Sequence, residues 1–321
     1  MTNPNTNSVY TWFDDPAGVN TVGGGSSFTT PPLNNTTTYY VQESSGIGGT
    51  QLFSFTNASA TGATGPTQAM VNSEYSGTNL AGSVNVIGSG IQQWVVPFSG
   101  LYTITAAGAR GGGANGGNGA EISGEFNLTG GQVINIVVGQ MGQTFSNDRN
   151  VSGGGGSYVI VDGSNDILVI AGGGGGGRNA FPNSAGQITP EGENGVDNGG
   201  VDGVGGAGGN GGGAASCRGG GGGGFLTNGL NGGCSLPNGQ GGFAYLNGSS
   251  GGVTGNAVDG GFGGGGAVDG VNNSWTYAGG GGGYSGGGGA SSSGQNSRGG
   301  GGGSFNSGLN PNNIAGANNG H

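Results

Sequence analysis

Lysine is missing from all 321 residues, arginine occurs five times, and one histidine closes the chain, against fifteen acidic residues and a formal net charge of −10. Nucleic acids and anionic headgroups are held by clustered cations that displace counterions, so neither is an expected partner. The same scarcity removes most catalytic chemistry. No nucleophile elbow or metal triad occurs, and the glycine strings lack the Lys-Ser/Thr ending of a phosphate loop. The carboxylate pair Glu191/Glu193 has the residue types of a glycosidase but sits in a glycine-rich loop without rigid support. A non-enzyme without cofactor or metal is expected. Asp197, Asp202, Asp259 and Asp269 lie before or near glycines, where carboxylates make turns.

No apolar stretch reaches 18 residues, so no helix spans a membrane. The opening MTNPNTNSVYTW has neither the basic nor the apolar region of a signal peptide. The expectation is a mature end, or a cytoplasmic product that reaches the outside by lysis, as virion proteins do. Only two cysteines occur, Cys217 and Cys234, flanking RGGGGGGFLTNGLNGG; their spacing fits no zinc motif. A disulfide between them closes a loop of about 18 residues, worth roughly 3 kcal/mol. Two free thiols are the alternative.

What fills the chain is glycine, 91 residues of it. Runs begin at Gly111, Gly153, Gly172, Gly211, Gly219, Gly263, Gly279, Gly286 and Gly299. Glycine loses the most conformational freedom on folding and has no side chain to bury, so such runs are linkers unless the backbone itself is the packing surface. Three regions follow from the pattern. Residues 1–48 hold short β-rich runs at 9–13 and 36–42 between Pro, Gly and Asn turn signals. Residues 49–171 carry most of the apolar residues and eight strand candidates, at 51–55, 83–87, 91–96, 101–107, 120–127, 132–138, 157–161 and 167–170. Tyr102, Ile104 and Ala106 share one face of LYTITAA, Asp162-Gly163 makes a hairpin turn, and 67–75 is the one short helix. Eight strands with turn signals predict a jelly-roll β-sandwich. Residues 172–321 hold most of the runs, whose irregular spacing matches neither collagen nor a calcium-binding β-helix.

Two resemblances add to this reading. YTWF, the glycine turn, SFTTPPL and TTTYYV resemble the closing half of immunoglobulin-like modules in secreted Bacteroidota surface proteins. The likeness implies core positions at Trp12, Phe28, Leu33 and Tyr40 and an apolar face left for another chain or the next region to cover; a plain anchoring arm is the alternative. IQQWVVPFSGLYTITAAGARGG, GAEISGEFNLTGGQVINIVVGQMG and GGGGSYVIVDGSNDILVIAGGGGGG resemble a glycine-rich domain family. That family includes bacterial surface proteins and the membrane-distal ectodomain of anaplastic lymphoma kinase. The resemblance implies an all-β fold: a tumour-necrosis-factor-like sandwich with a bundle of polyglycine II helices inserted between its strands, preceded here by the small Ig-like β segment. It also implies a homotrimer.

Polyglycine in the polyproline-II form rises about 3.1 Å per residue with three residues per turn and no internal hydrogen bonds. Its peptide groups must then pair between rods. Phe225, Phe262, Tyr284 and Phe305 end the runs and are expected to cap the bundle, whereas Tyr245, Trp275 and Tyr277 are candidates for a contact surface. The expected function is that of a structural or adhesion protein on a phage virion, a fibre, spike or tip, contacting a host-surface glycan or protein and joined to other surface proteins through its N-terminal segment. A secreted bacterial adhesin or matrix protein is the alternative, and a receptor-type ligand-binding module a third.

Overall fold

The computed structural model describes residues 8–25, 27–33, 35–45, 51–145, 149–178, 184–198, 200–233, 239–255, 258–269, 275–292 and 296–321. They fall into two compact units, Met1–Ser54 and Phe55–His321. Among the described residues no helix is long and apolar enough to cross a membrane.

The first unit is an antiparallel three-stranded sheet of β1 (Ser8–Phe13), β2 (Thr21–Gly24) and β3 (Tyr40–Ser45), in the order β2-β1-β3. Trp12 stacks on Phe28 at 5.7 Å, and Phe28 meets Tyr39 edge-on at 5.2 Å. The turn after β1 is gathered around Asp15, whose carboxylate accepts N–H bonds from Asn20 (2.7 Å), Ala17 (2.8 Å) and Val19 (3.0 Å). Two of the expected core positions fail. Leu33 and Tyr40 are 47% and 39% exposed, and Tyr10 and Phe13 are buried instead. Leu33 follows Pro31-Pro32, which cannot donate to a ladder, so that stretch stays irregular and outside the sheet.

The second unit begins with α1 (Gln68–Glu74), capped by the Thr67 hydroxyl, which accepts from the Met70 N–H. Strands follow as β4 (Val84–Ile87), β5 (Ile91–Val95), β6 (Gly100–Ala107), β7 (Gly119–Leu128), β8 (Val133–Val137), β9 (Thr144–Phe145), β10 (Asn150–Val151), β11 (Ser157–Val161) and β12 (Ile167–Ala171). The glycine-rich part adds β13 (Val196–Asp197), β14 (Gly200–Val201), β15 (Thr276–Ala278), β16 (Ala290–Ser292), β17 (Ser297–Arg298), β18 (Phe305–Asn306) and β19 (Leu309–Asn318). The all-β expectation holds. Residues 51–55 form no strand; Phe55 packs edge-on against Trp94 (5.8 Å) and Tyr75 (6.1 Å).

A six-stranded antiparallel sheet, β18-β12-β11-β8-β5-β4, faces the three-stranded sheet β19-β7-β6. β8 is buried on both sides. One side faces the smaller sheet, with Trp94 against Tyr102 at 6.3 Å. On the other, Ile91, Val137, Tyr158, Ile160 and Ile170 form a single core with Phe225, Tyr245 and Phe262, against which Tyr284 and Phe305 pack. The aromatics that end the glycine runs therefore bind the runs to the sheet.

The runs themselves are buried threads bonded to one another. In the thread at 279–283, Gly279 and Gly282 donate to Val151 and Gly154 (both 2.9 Å), Gly280 and Gly283 to Gly220 and Gly223 (3.0 and 3.2 Å), and Gly281 to Gly300 (2.9 Å). Their carbonyls accept from three further threads. Gly176 and Gly173 donate to Gly279 and Gly282 (2.9 and 2.8 Å), Gly266 to Gly280 (2.8 Å), and Gly287 to Gly281 (2.8 Å). The direction turns every residue and returns every third, so one thread reaches six neighbours, some parallel and some antiparallel. A Cβ on Gly281 would overlap the Gly173 carbonyl, and one on Gly280 that of Gly287. Contact this close is possible only because neither side carries a side chain. At the margin, side-chain oxygens replace the missing neighbours: Asn194, Thr227, Asn231 and Gln240 accept from the N–H groups of Gly205, Gly211, Gly241 and Val253. The chain's wealth of neutral polar residues thus closes the lattice laterally.

Candidate functional site

Three threads are continuous with the sandwich: 152–156 runs into β11, 172–177 leaves β12, and 299–303 runs into β18. Their opposite ends carry β10, the bridge between Gly177 and Arg298, and β17. The bundle consequently has a proximal end on the six-stranded sheet and a distal end held by short strands. There β16-β15-β10-β9 form one sheet, with β10 and β15 parallel, and β14-β13-β17 form another. This distal end is the candidate site.

Its interior sets several paired polar groups beside two small apolar clusters, Val151 with Ala278 and Ala290, and Val258 with Val268 and Tyr277. Asp269 is fully buried and forms an ion pair with Arg218, whose guanidinium carbon lies 5.9 Å from the Tyr277 ring centre. The Arg218 backbone also joins threads, donating to Gly233 (3.2 Å) and accepting from Asp269 (3.4 Å). Cys217, next in the chain, is disulfide-bonded; Cys234, its expected partner, lies outside the described residues. Asp202 bridges two segments, accepting from the Ser216 N–H (2.8 Å) and the Ser291 N–H (2.7 Å). Asp259 accepts from the Thr254 N–H at 3.0 Å. Glu193 faces Arg298 at 3.5 Å. Burial pushes the Glu193 carboxyl above its ordinary range, opposed by the Arg298 charge. Glu191 is exposed, so the two carboxylates have different surroundings.

Of the three aromatics proposed for a contact surface, Trp275 is 41% exposed at this end. Tyr277 is 2% exposed and packs with Val258 and Val268, so it supports the site from below. Tyr245 is 6% exposed and belongs to the proximal core, stacked between Phe225 (5.3 Å) and Tyr158 (5.5 Å). It is the correction with the clearest cause: a 3-10 turn at Tyr245–Asn247 points it into the sheet rather than to solvent. Arg218 was missed by sequence reading, although a lone arginine opening a six-glycine run in a chain with five arginines was a usable signal.

Comparison with known proteins gives two findings. Residues 1–65 match a family model described as an Ig-like domain, CHU_C associated. A stretch of 96 residues is 38% identical to the leukocyte tyrosine kinase receptor of Mus musculus. That stretch is 28% of this chain and 11% of the receptor, so the chain corresponds to about a tenth of the curated relative's length.

Proposed function

We propose that the protein is a non-enzymatic surface adhesin in which glycine threads, each a polyglycine II helix, form a rigid stalk that carries a contact surface on its distal end. The observation that carries this reading is the three-residue return of hydrogen bonds around the 279–283 thread, the period of that helix. Five such residues span about 16 Å at its rise, which separates the distal end from the sandwich. Trp275 lies on the contact surface, and Arg218, Asp269 and Tyr277 hold it. An Ig-like segment and a receptor relative accord with an extracellular or surface setting.

The finer reading is a phage virion protein, a fibre, spike or tip that assembles as a homotrimer, attaches to other surface proteins through its N-terminal unit and contacts a host-surface glycan or protein. Antibody labelling of purified particles and of cells from the same culture tests it. Label on particle ends supports the virion reading, label on the cell envelope supports a bacterial adhesin, and label on neither removes both. Light scattering on the purified chain tests the trimer: a mass near three times 30.3 kDa is expected, and a monomer overturns it.

A further inference from the structure

The first unit carries a groove of about 580 Å³ lined by Asp14, Val22, Phe28, Thr29, Pro31 and Tyr39, with Thr30 at the same wall. Val22 belongs to β2, one of the two outer strands of its sheet among the described residues, where a bulge at Val22 breaks the register with β1, and an outer strand offers backbone donors and acceptors to a further strand. Phe28 and Tyr39 are only half-buried, which puts apolar surface beside an edge that no described strand pairs with. Asp14 is exposed at the groove, and residues 1–54 contain three acids, Asp14, Asp15 and Glu43, with no Lys, Arg or His. A second copy of this unit would therefore bring like charge to the same place.

We infer that the groove takes an extended peptide segment of a different protein, added as a fourth strand along β2, with apolar side chains over Phe28 and Tyr39 and a lysine or arginine opposite Asp14. Backbone pairing supplies affinity in this mode, and alternate side chains supply selection. The inference rests on the N-terminal attachment proposed above, but its test is independent of where the protein is found.

The probes are two fluorescent peptides, Lys-Val-Thr-Val-Thr-Val-Lys and Glu-Val-Thr-Val-Thr-Val-Glu, titrated against the full chain by anisotropy. The lysine peptide is expected to bind about fivefold tighter at low salt, the size of one exposed ion pair, and the ratio to fall toward unity at about 1 M salt. Asp14→Lys, at an exposed side chain, is expected to reverse the preference. Amide spectra are expected to shift at Val22 and Gly24. Equal binding of the two peptides, no binding of either, or Val22 and Gly24 shifts that follow protein concentration alone would each overturn the inference, the last in favour of self-association.

Discussion

At the scale of the residue, the fold depends on what is left out of the glycines. Gly281 and Gly100 make the contrast. A Cβ at Gly281 would overlap the Gly173 carbonyl, whereas one at Gly100 has nothing within 4 Å. Gly281→Ala is expected to cost about 1–3 kcal/mol or more, the range for overpacked cores, and Gly100→Ala less than about 0.5 kcal/mol; chemical denaturation measures both. Tyr158 supplies a second test. It is fully buried, and its hydroxyl donates to the Gly283 carbonyl at 2.9 Å, so it fastens a thread end to β11. Burial holds its phenol protonated well above the usual tyrosine range. Tyr158→Phe leaves that carbonyl without its donor and is expected to cost about 1–3 kcal/mol. Glu193 gives the pH dependence. Its folded-state pKa is raised by burial, so the stability it contributes is full below the unfolded value and is lost as pH rises through the folded one. Melting curves from about pH 4 to about pH 7 should show that decline, and Glu193→Gln should remove it.

At the scale of the element, what could be read from sequence is what side chains decide. The alternation in LYTITAA places Tyr102, Ile104 and Ala106 on one face, and in β6 that face is the covered one, with Ala106 buried and Tyr102 and Ile104 half-buried between exposed neighbours. Thr67 marked the start of α1 because its hydroxyl caps the first turn. β18 and β19 were not legible, because FNSGLNPNNIAGANN has weak alternation and owes its place to pairing with β12 and β7. Tyr245 and Tyr277 were misread for a related reason. An aromatic beside glycines looks like a loop aromatic, and only the packing of Tyr245 on Tyr158 and of Tyr277 under Arg218 shows otherwise. Thread partners are the least legible of all, since each glycine is chemically the same and Gly281 finds Gly173, Gly287 and Gly300 through the fold alone. The distal end has its own test. If the disulfide at Cys217 closes the expected loop, Cys217→Ser should cost about 3 kcal/mol, and the loss should be read as earlier opening of the β15–β16 pair than of β8.

At the scale of the whole molecule, a lattice of backbone can be stable only if its many bonds act together. Each peptide bond pair contributes about 1 kcal/mol net, and ordering each residue costs about as much. The balance tips where aromatics at the proximal end and ion pairs at the distal end hold the threads in register. Native-state amide hydrogen exchange tests this most directly. Glycine amides at 173–177 and 279–283 are predicted to be protected to the same degree as those of β8 and β11, opening only with the global unfolding of their unit. Exchange of those glycines at the rate of an unstructured chain, while β8 and β11 stay protected, would contradict it.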